Sequence, residues 1–135
     1  MKKLLTLFDL QKAELSILFV NNKQMHKLNK RHREIDSTTD VLSFPMYESI
    51  KDIPKNSECL LGDIAVNLEL VLERLRELMP EARAQCQEFN DEVANMLIHG
   101  FLHLLGYDHE KSAYQAKRMK EKELELANVL REIHK

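Results

Sequence analysis

The feature that most limits what this chain can fold into is a helical stretch that ends apolar on almost every side. Phe89, Val93, Met96, Leu97, Phe101 and Leu104 recur at helical spacing, and towards Leu104 apolar residues surround the axis. A helix that is hydrophobic all round must be buried, so a helix from about Ala84 to Leu104 is expected at the centre of the fold. Gly106 ends it, as a residue that tolerates the left-handed conformation should. The chain has 135 residues, enough for a single domain, 1–135, with one modest core around such a helix.

The remaining segments supply what wraps it. Leu15 to Val20 is a short apolar run bounded by Asn21-Asn22, suited to a buried strand. Lys23 to Arg31 reads as a short helix with Met25 and Leu28 three apart, and Ser37 to Asp40 as a turn. Val41 to Phe44 reads as a second strand closed by Pro45, and Gly62 to Val66 as a third. Between them Tyr47 to Glu58 is polar, holds Pro54 and lacks an apolar period, as a loop does. Leu68, Val71, Leu72, Leu75, Leu78 and Met79 line a helix that Pro80 stops. A last helix opens at Ser112, with Gln115 placed for a capping box and Met119, Leu126, Ala127 and Leu130 facing inward. The first ten residues fit an edge strand or a partial helix. The order of elements predicts an α+β domain, a small mixed β-sheet covered by helices.

Charge and cysteines narrow the function. The net charge of -2 does not mark a nucleic-acid binder in bulk, so any RNA contact must come from a local patch. Such a patch exists. No acidic residue occurs from Leu15 to Arg33, while Lys23, Lys27, Lys30, Arg31 and Arg33 are basic. A solvated helix face explains such a run as readily as a phosphate-tracking one. Cys59 and Cys86 lack a CxxC pairing, which predicts a reducing compartment and no disulfide-linked partner. Asp9, Lys12 and Glu14 interrupt the apolar start too early for a signal peptide or membrane span, so the expected location is the cytoplasm.

The chemistry is concentrated in residues 99–109, His-Gly-Phe-Leu-His-Leu-Leu-Gly-Tyr-Asp-His. His99 and His103, four apart on a helix, share one face with Cβ atoms about 6 Å apart. A turn at Gly106 can bring His109 to the same point. Three neutral nitrogens with a fourth position open make a catalytic zinc site, one Zn2+ per chain. Such an ion brings the pKa of its water toward about 7. An accidental cluster is the blander reading, but three of the six histidines fall in this stretch. The spacing matches the metzincin frame HExxHxxGxxH at every ligand and at the glycine, so a metzincin-like site at the end of the central helix is expected. One position departs: Gly100 stands where those proteases keep their glutamate base. That absence moves the reading from peptide bonds to phosphodiesters, with Asp108 an acid that can still serve in the glutamate's place.

The stretch HGFLHLLGYDH closely resembles the YbeY family signature HGxLHLxGYDH. Leu28-Asn29 through Arg33, Thr39 through Pro45, and Leu61 through Ile64 agree in the family's order. The resemblance implies a bacterial zinc-dependent endoribonuclease acting on single-stranded RNA. It would mature the 3′ end of small-subunit rRNA and take part in ribosome quality control. It assigns the metal to His99, His103 and His109 and an essential arginine to Arg33, with His32 where a tyrosine is common. Further candidates come from the residues themselves. Asp108 is placed to act in catalysis or to orient an imidazole. Asp63, of a residue type rarely buried without a partner, is a candidate to hold a histidine or an arginine in place, or else simply pairs with a surface lysine. Ser43 alternates with Leu42 and Phe44 and faces either the cleft or solvent. Two rival readings stand beside the nuclease: a metallopeptidase-like hydrolase, and a non-catalytic, zinc-stabilised ribosome-assembly factor.

Overall fold

The computed structural model describes residues 2–78, 82–107 and 112–133. Met79, Pro80, Asp108 and His109 lie outside the described residues, as does the side chain of Cys86. Among the described residues the α-helices and strands are α1 (Lys2–Leu7), β1 (Ala13–Val20), α2 (Asn22–Arg33), β2 (Val41–Pro45), β3 (Cys59–Asn67), α3 (Leu68–Leu78), α4 (Ala82–Leu104) and α5 (Ala113–Ile133). The architecture is α+β, and the first ten residues take the helical alternative.

The sheet has the order β1-β3-β2, with β1 parallel and β2 antiparallel to β3. Ile17, Ile64 and Ser43 sit side by side in register, as do Leu18, Ala65 and Leu42 one step along. Strand alternation sends these two rows to opposite faces. The first face carries the main core, where α4 buries Ile98, Phe101, Leu102, Leu104 and Leu105 against Leu61, Ile64 and Val66, with α1, α3 and α5 around it. The second face carries a smaller cluster of Met25, Leu42 and Ala65, capped by α2. Burial is concentrated in the second half of α4, from Met96 to Leu104, where the composition is apolar, while Gln87, Asn90, Asp91 and Asn95 before it are exposed.

Three expectations change. Residues 15–20 form an edge strand rather than a buried one: Leu18 is 45 % and Phe19 57 % exposed, and β3 takes the central place. An apolar run reports burial on average, not position in a sheet. The segment 47–58, read as a polar loop, is anchored. A 3-10 turn at Ile50–Asp52 delivers Ile53 into the core, with Tyr47 and Ile50 packed beside it. A few apolar residues are enough for this, too few to make a period. Leu78, expected on the inner stripe of α3, is exposed.

The helix ends obey capping chemistry. Asn21 and Gln24 make a reciprocal capping box at the start of α2. At its end Glu34 takes a left-handed conformation, and the Glu34 and Ile35 amides donate to the Lys30 and Asn29 carbonyls. At the start of α5 the Ser112 hydroxyl accepts from the Gln115 amide.

Asn67, the fully buried last residue of β3, ties four segments together. Its Nδ2 donates to Asn22 Oδ1 (2.7 Å), Thr38 Oγ1 (3.1 Å) and the Thr39 carbonyl (3.1 Å). Its Oδ1 accepts from the Leu70 amide and so caps α3. Asn67→Ala strands these partners and is expected to cost about 2–4 kcal/mol, a lost cap plus unsatisfied buried groups. Urea denaturation reads this as a lower midpoint at unchanged slope. A midpoint like the wild type's would mean that water replaces the side chain freely.

Candidate metal centre and its surroundings

His99 and His103 point from the arc of α4 that the core leaves open, and both are half-buried. Their Nε2 atoms lie 3.1 Å apart, with ring planes at 76°. Two nitrogens each about 2.0–2.1 Å from one tetrahedral ion stand a little over 3 Å apart, so the pair has the separation that a shared divalent ion requires. His99 Nδ1 meets Glu123 Oε1 of α5 at 2.6 Å. Glu123 was not singled out from the sequence. It is one of several glutamates in a charged helix, 24 residues from its partner, and no local spacing links the two.

The turn after His103 follows the Schellman pattern: the Gly106 amide donates to the His103 carbonyl and the Tyr107 amide to Leu102. Gly106 has φ +97°, which an L side chain rarely adopts. The chain therefore leaves α4 sharply, two residues before Asp108. Asp108 and His109 lie outside the described residues, and among those described no group of three or more His, Cys, Asp or Glu side chains forms a metal cluster. Cys59 starts β3 and packs against the core as a free thiol.

Gly100 lies where α4 packs on the sheet. A Cβ there would stand 2.7 Å from Ile64 Cγ2 and 3.2 Å from Ser43 Oγ. The Ser43 hydroxyl donates to the Gly100 carbonyl at 3.2 Å. Ser43 thus faces α4 and pins it to β2, rather than turning to solvent. The place of the protease glutamate is filled by the sheet, so its absence here is a matter of space as well as chemistry. Gly100→Ala is expected to cost about 0–2 kcal/mol: overpacking of about 1–3 kcal/mol, offset by the roughly 1 kcal/mol that Ala gains over Gly in a helix. Thermal unfolding checks the sign, and a stabilised variant would mean that Ile64 gives way easily.

The other candidates are spread differently. Asp63 alternates with Ile64 and pairs with Phe44 and Ser16. Its side chain faces the α2 side of the sheet, across from His99 and His103, so it holds neither histidine. Arg33 is the last residue of α2 and is exposed, and among the described residues it makes no hydrogen bond or ion pair. Its neighbour His32 stacks edge-on against Phe44, 5.1 Å between centroids, which sets the end of α2 beside β2. Arg33 and the histidines therefore flank the same edge strand from opposite faces. Lys23, Lys27, Lys30 and Arg31 are all exposed along α2. Lys23 and Lys27, then Lys27 and Arg31, are four apart and share a stripe. Asp36 abuts it, its carboxyl held below the ordinary range by the His26 hydrogen bond first and the Lys30 charge second.

The sequence profile described as "Endoribonuclease YbeY" matches residues 1–131. A protein named Endoribonuclease YbeY from Anaeromyxobacter dehalogenans (strain 2CP-C) is 43 % identical over 117 residues, 87 % of this chain and 54 % of that protein. One of the same name from Thermoanaerobacter sp. (strain X514) is 42 % identical over 122 residues, 84 % of this chain and 72 % of its own. The chain thus spans about half the length of the first relative. The solution structure of TM1509 from Thermotoga maritima superposes with a TM-score of 0.61 at 30 % identity, over 93 % of this chain and 75 % of that one. No helix among the described residues is long and apolar enough to cross a membrane. With the profile match spanning nearly the whole sequence, the chain belongs to the YbeY family.

Proposed function

We propose that this chain is a metal-dependent endoribonuclease that cuts single-stranded RNA, with small-subunit rRNA in the ribosome as its substrate. The observation that carries this is the 3.1 Å approach of the His99 and His103 Nε2 atoms at the end of a buried helix, with no room for a carboxylate at Gly100. The relatives' name supports the reaction type. His99 and His103, with His109 as the third ligand, would hold one divalent ion, and an all-imidazole set favours zinc. When bound, that ion supplies Lewis acidity and charge neutralisation at phosphorus.

The chain's own residues supply the rest. Arg33 would clamp a phosphate oxygen pair with its planar guanidinium and oppose the charge that develops on phosphorus. Lys23, Lys27, Lys30 and Arg31 would track the flanking phosphates along α2, leading the strand around the edge of β2 to the histidines. Asp108 is assigned to handling the proton of the leaving oxygen or orienting a ligand imidazole. Gly100 disfavours the peptidase reading, since a leaving amine needs the proton that the missing glutamate would carry.

The test is cleavage of single-stranded RNA by zinc-loaded protein, with Arg33→Ala and Lys27→Ala alongside. Wild type is expected to cut. Arg33→Ala should lower kcat/KM about 10²–10³-fold, the scale of one group that stabilises transition-state charge. Lys27→Ala should mainly weaken binding and reduce the salt slope by about 1. A 2′,3′-cyclic phosphate end would assign the attack to the RNA 2′-OH, and a 5′-phosphate to water. Equal cutting by Arg33→Ala would remove Arg33 from the site. Absence of cutting by the wild type would leave the assembly-factor reading.

A further inference from the structure

We propose that Glu123 is a positioning residue. It holds His99 as the Nδ1–H tautomer and turns the Nε2 lone pair toward the point that His99 shares with His103. This rests on the metal-site reading above and assigns to it a residue of α5 that neither the motif nor its spacing includes.

The geometry leads there in three steps. A neutral imidazole has one donor and one acceptor nitrogen, and an ionised carboxylate only accepts. The 2.6 Å contact from His99 Nδ1 to Glu123 Oε1 therefore puts the proton on Nδ1 and makes Nε2 the acceptor. That Nε2 is the atom 3.1 Å from His103 Nε2. The second step is rigidity. Met119 and Leu126, four before and three after Glu123, are both 1 % exposed in the core. Residues at those spacings share a helix face, so α5 presents the carboxylate to α4 from an anchored surface. The third is partial shielding: the His99 and Glu123 side chains are 30 % and 32 % exposed. A charge-assisted bond there is short and directional, unlike that of a surface pair in water. At the next residue, Gly100, α4 packs on the sheet, which fixes the helix that carries His99.

The experiment measures zinc affinity by competition with a chromophoric chelator, using zinc alone as the probe. Wild type, Glu123→Gln, Glu123→Ala and His103→Ala are compared at one pH. Groups that orient a metal-binding histidine are typically worth about 10–100-fold in affinity, so Glu123→Ala should bind that much more weakly. Glu123→Gln should fall between, because its amide oxygen accepts the same N–H without the charge. Long-range 1H–15N spectra of metal-free protein give a readout independent of zinc. They should show the Nδ1–H tautomer of His99 in the wild type and a tautomer mixture in Glu123→Ala, and they stay informative if one variant folds poorly. If Glu123→Ala binds like the wild type while His103→Ala does not, the positioning role is wrong and the metal site stands. If the wild type binds no better than His103→Ala, the metal reading fails and takes this proposal with it.

Discussion

His103→Ala is expected to give a folded protein that has lost at least about a hundredfold in zinc affinity and in RNA cleavage. The lower bound follows from the residues behind metal ligands, whose loss alone costs about 10–100-fold; removing a ligand must cost more. The protein should nevertheless stay folded. His103 is half-buried, on the arc of α4 that faces away from the core, while Phe101, Leu102, Leu104 and Leu105 around it carry the packing. Alanine is also the best helix former, so the metal-free variant should unfold within about 1 kcal/mol of metal-free wild type. Chelator competition, cleavage and thermal unfolding on one preparation test all three statements. An unfolded variant would show that the histidine cluster is structural, as an assembly factor stabilised by zinc requires. A folded variant with wild-type affinity would remove His103 from the site.

The part of the site that was legible in the sequence is the part encoded locally. Two histidines four apart on a helix, followed by a glycine that lets the chain reverse, are short-range geometry, and the Schellman turn at Gly106 realises it. Burial of α4 was legible for the same reason, since composition around one helix axis needs no knowledge of the partner. What stayed hidden depends on which elements meet. Glu123 reaches His99 only because α5 packs on α4, and its sequence neighbours look no different from it. Of the partners the sequence allows Asp63, a histidine, an arginine or a surface lysine, the pairing of β3 removes the metal-site histidines, because a shift of one residue sets a side chain on the opposite face. Leu15 to Val20 has the composition of a central strand and lies at the edge, because strand order is decided by crossovers. Ile53 is buried from a short irregular segment, with only Tyr47 and Ile50 beside it, too few apolar residues to make a period.

Gly62→Ala is expected to be a severely damaging single-methyl change, at about 2–6 kcal/mol. Two penalties coincide there. The first is conformational: Gly62 has φ +140°, where a non-glycine residue costs about 1–3 kcal/mol. The second is space. A Cβ would stand 2.2 Å from the Phe44 carbonyl oxygen, 2.9 Å from Leu104 Cδ2 and 3.1 Å from the Phe44 carbonyl carbon. Two of these three atoms are backbone, so no rotamer change relieves the contact, and overpacking of this kind adds about 1–3 kcal/mol. The strand cannot move aside cheaply. Pro45 is paired with Gly62, the Met46 amide donates to the Leu61 carbonyl, and Ser43 one turn of the pleat away bonds α4. The register irregularity between Glu14 and Leu15 falls beside the same residue, so β1 is tied to this local geometry as well. Against a total of about 5–15 kcal/mol for a domain, the loss would leave a substantial unfolded fraction at growth temperature. Guanidinium denaturation should show a large fall in midpoint. The folded remainder should also lose zinc affinity, because displacing β2 displaces the Ser43 contact that seats Gly100 between the two histidines. A loss below about 1 kcal/mol would mean that β2 yields at this edge, and the sheet would then not be the rigid support on which the histidine geometry depends.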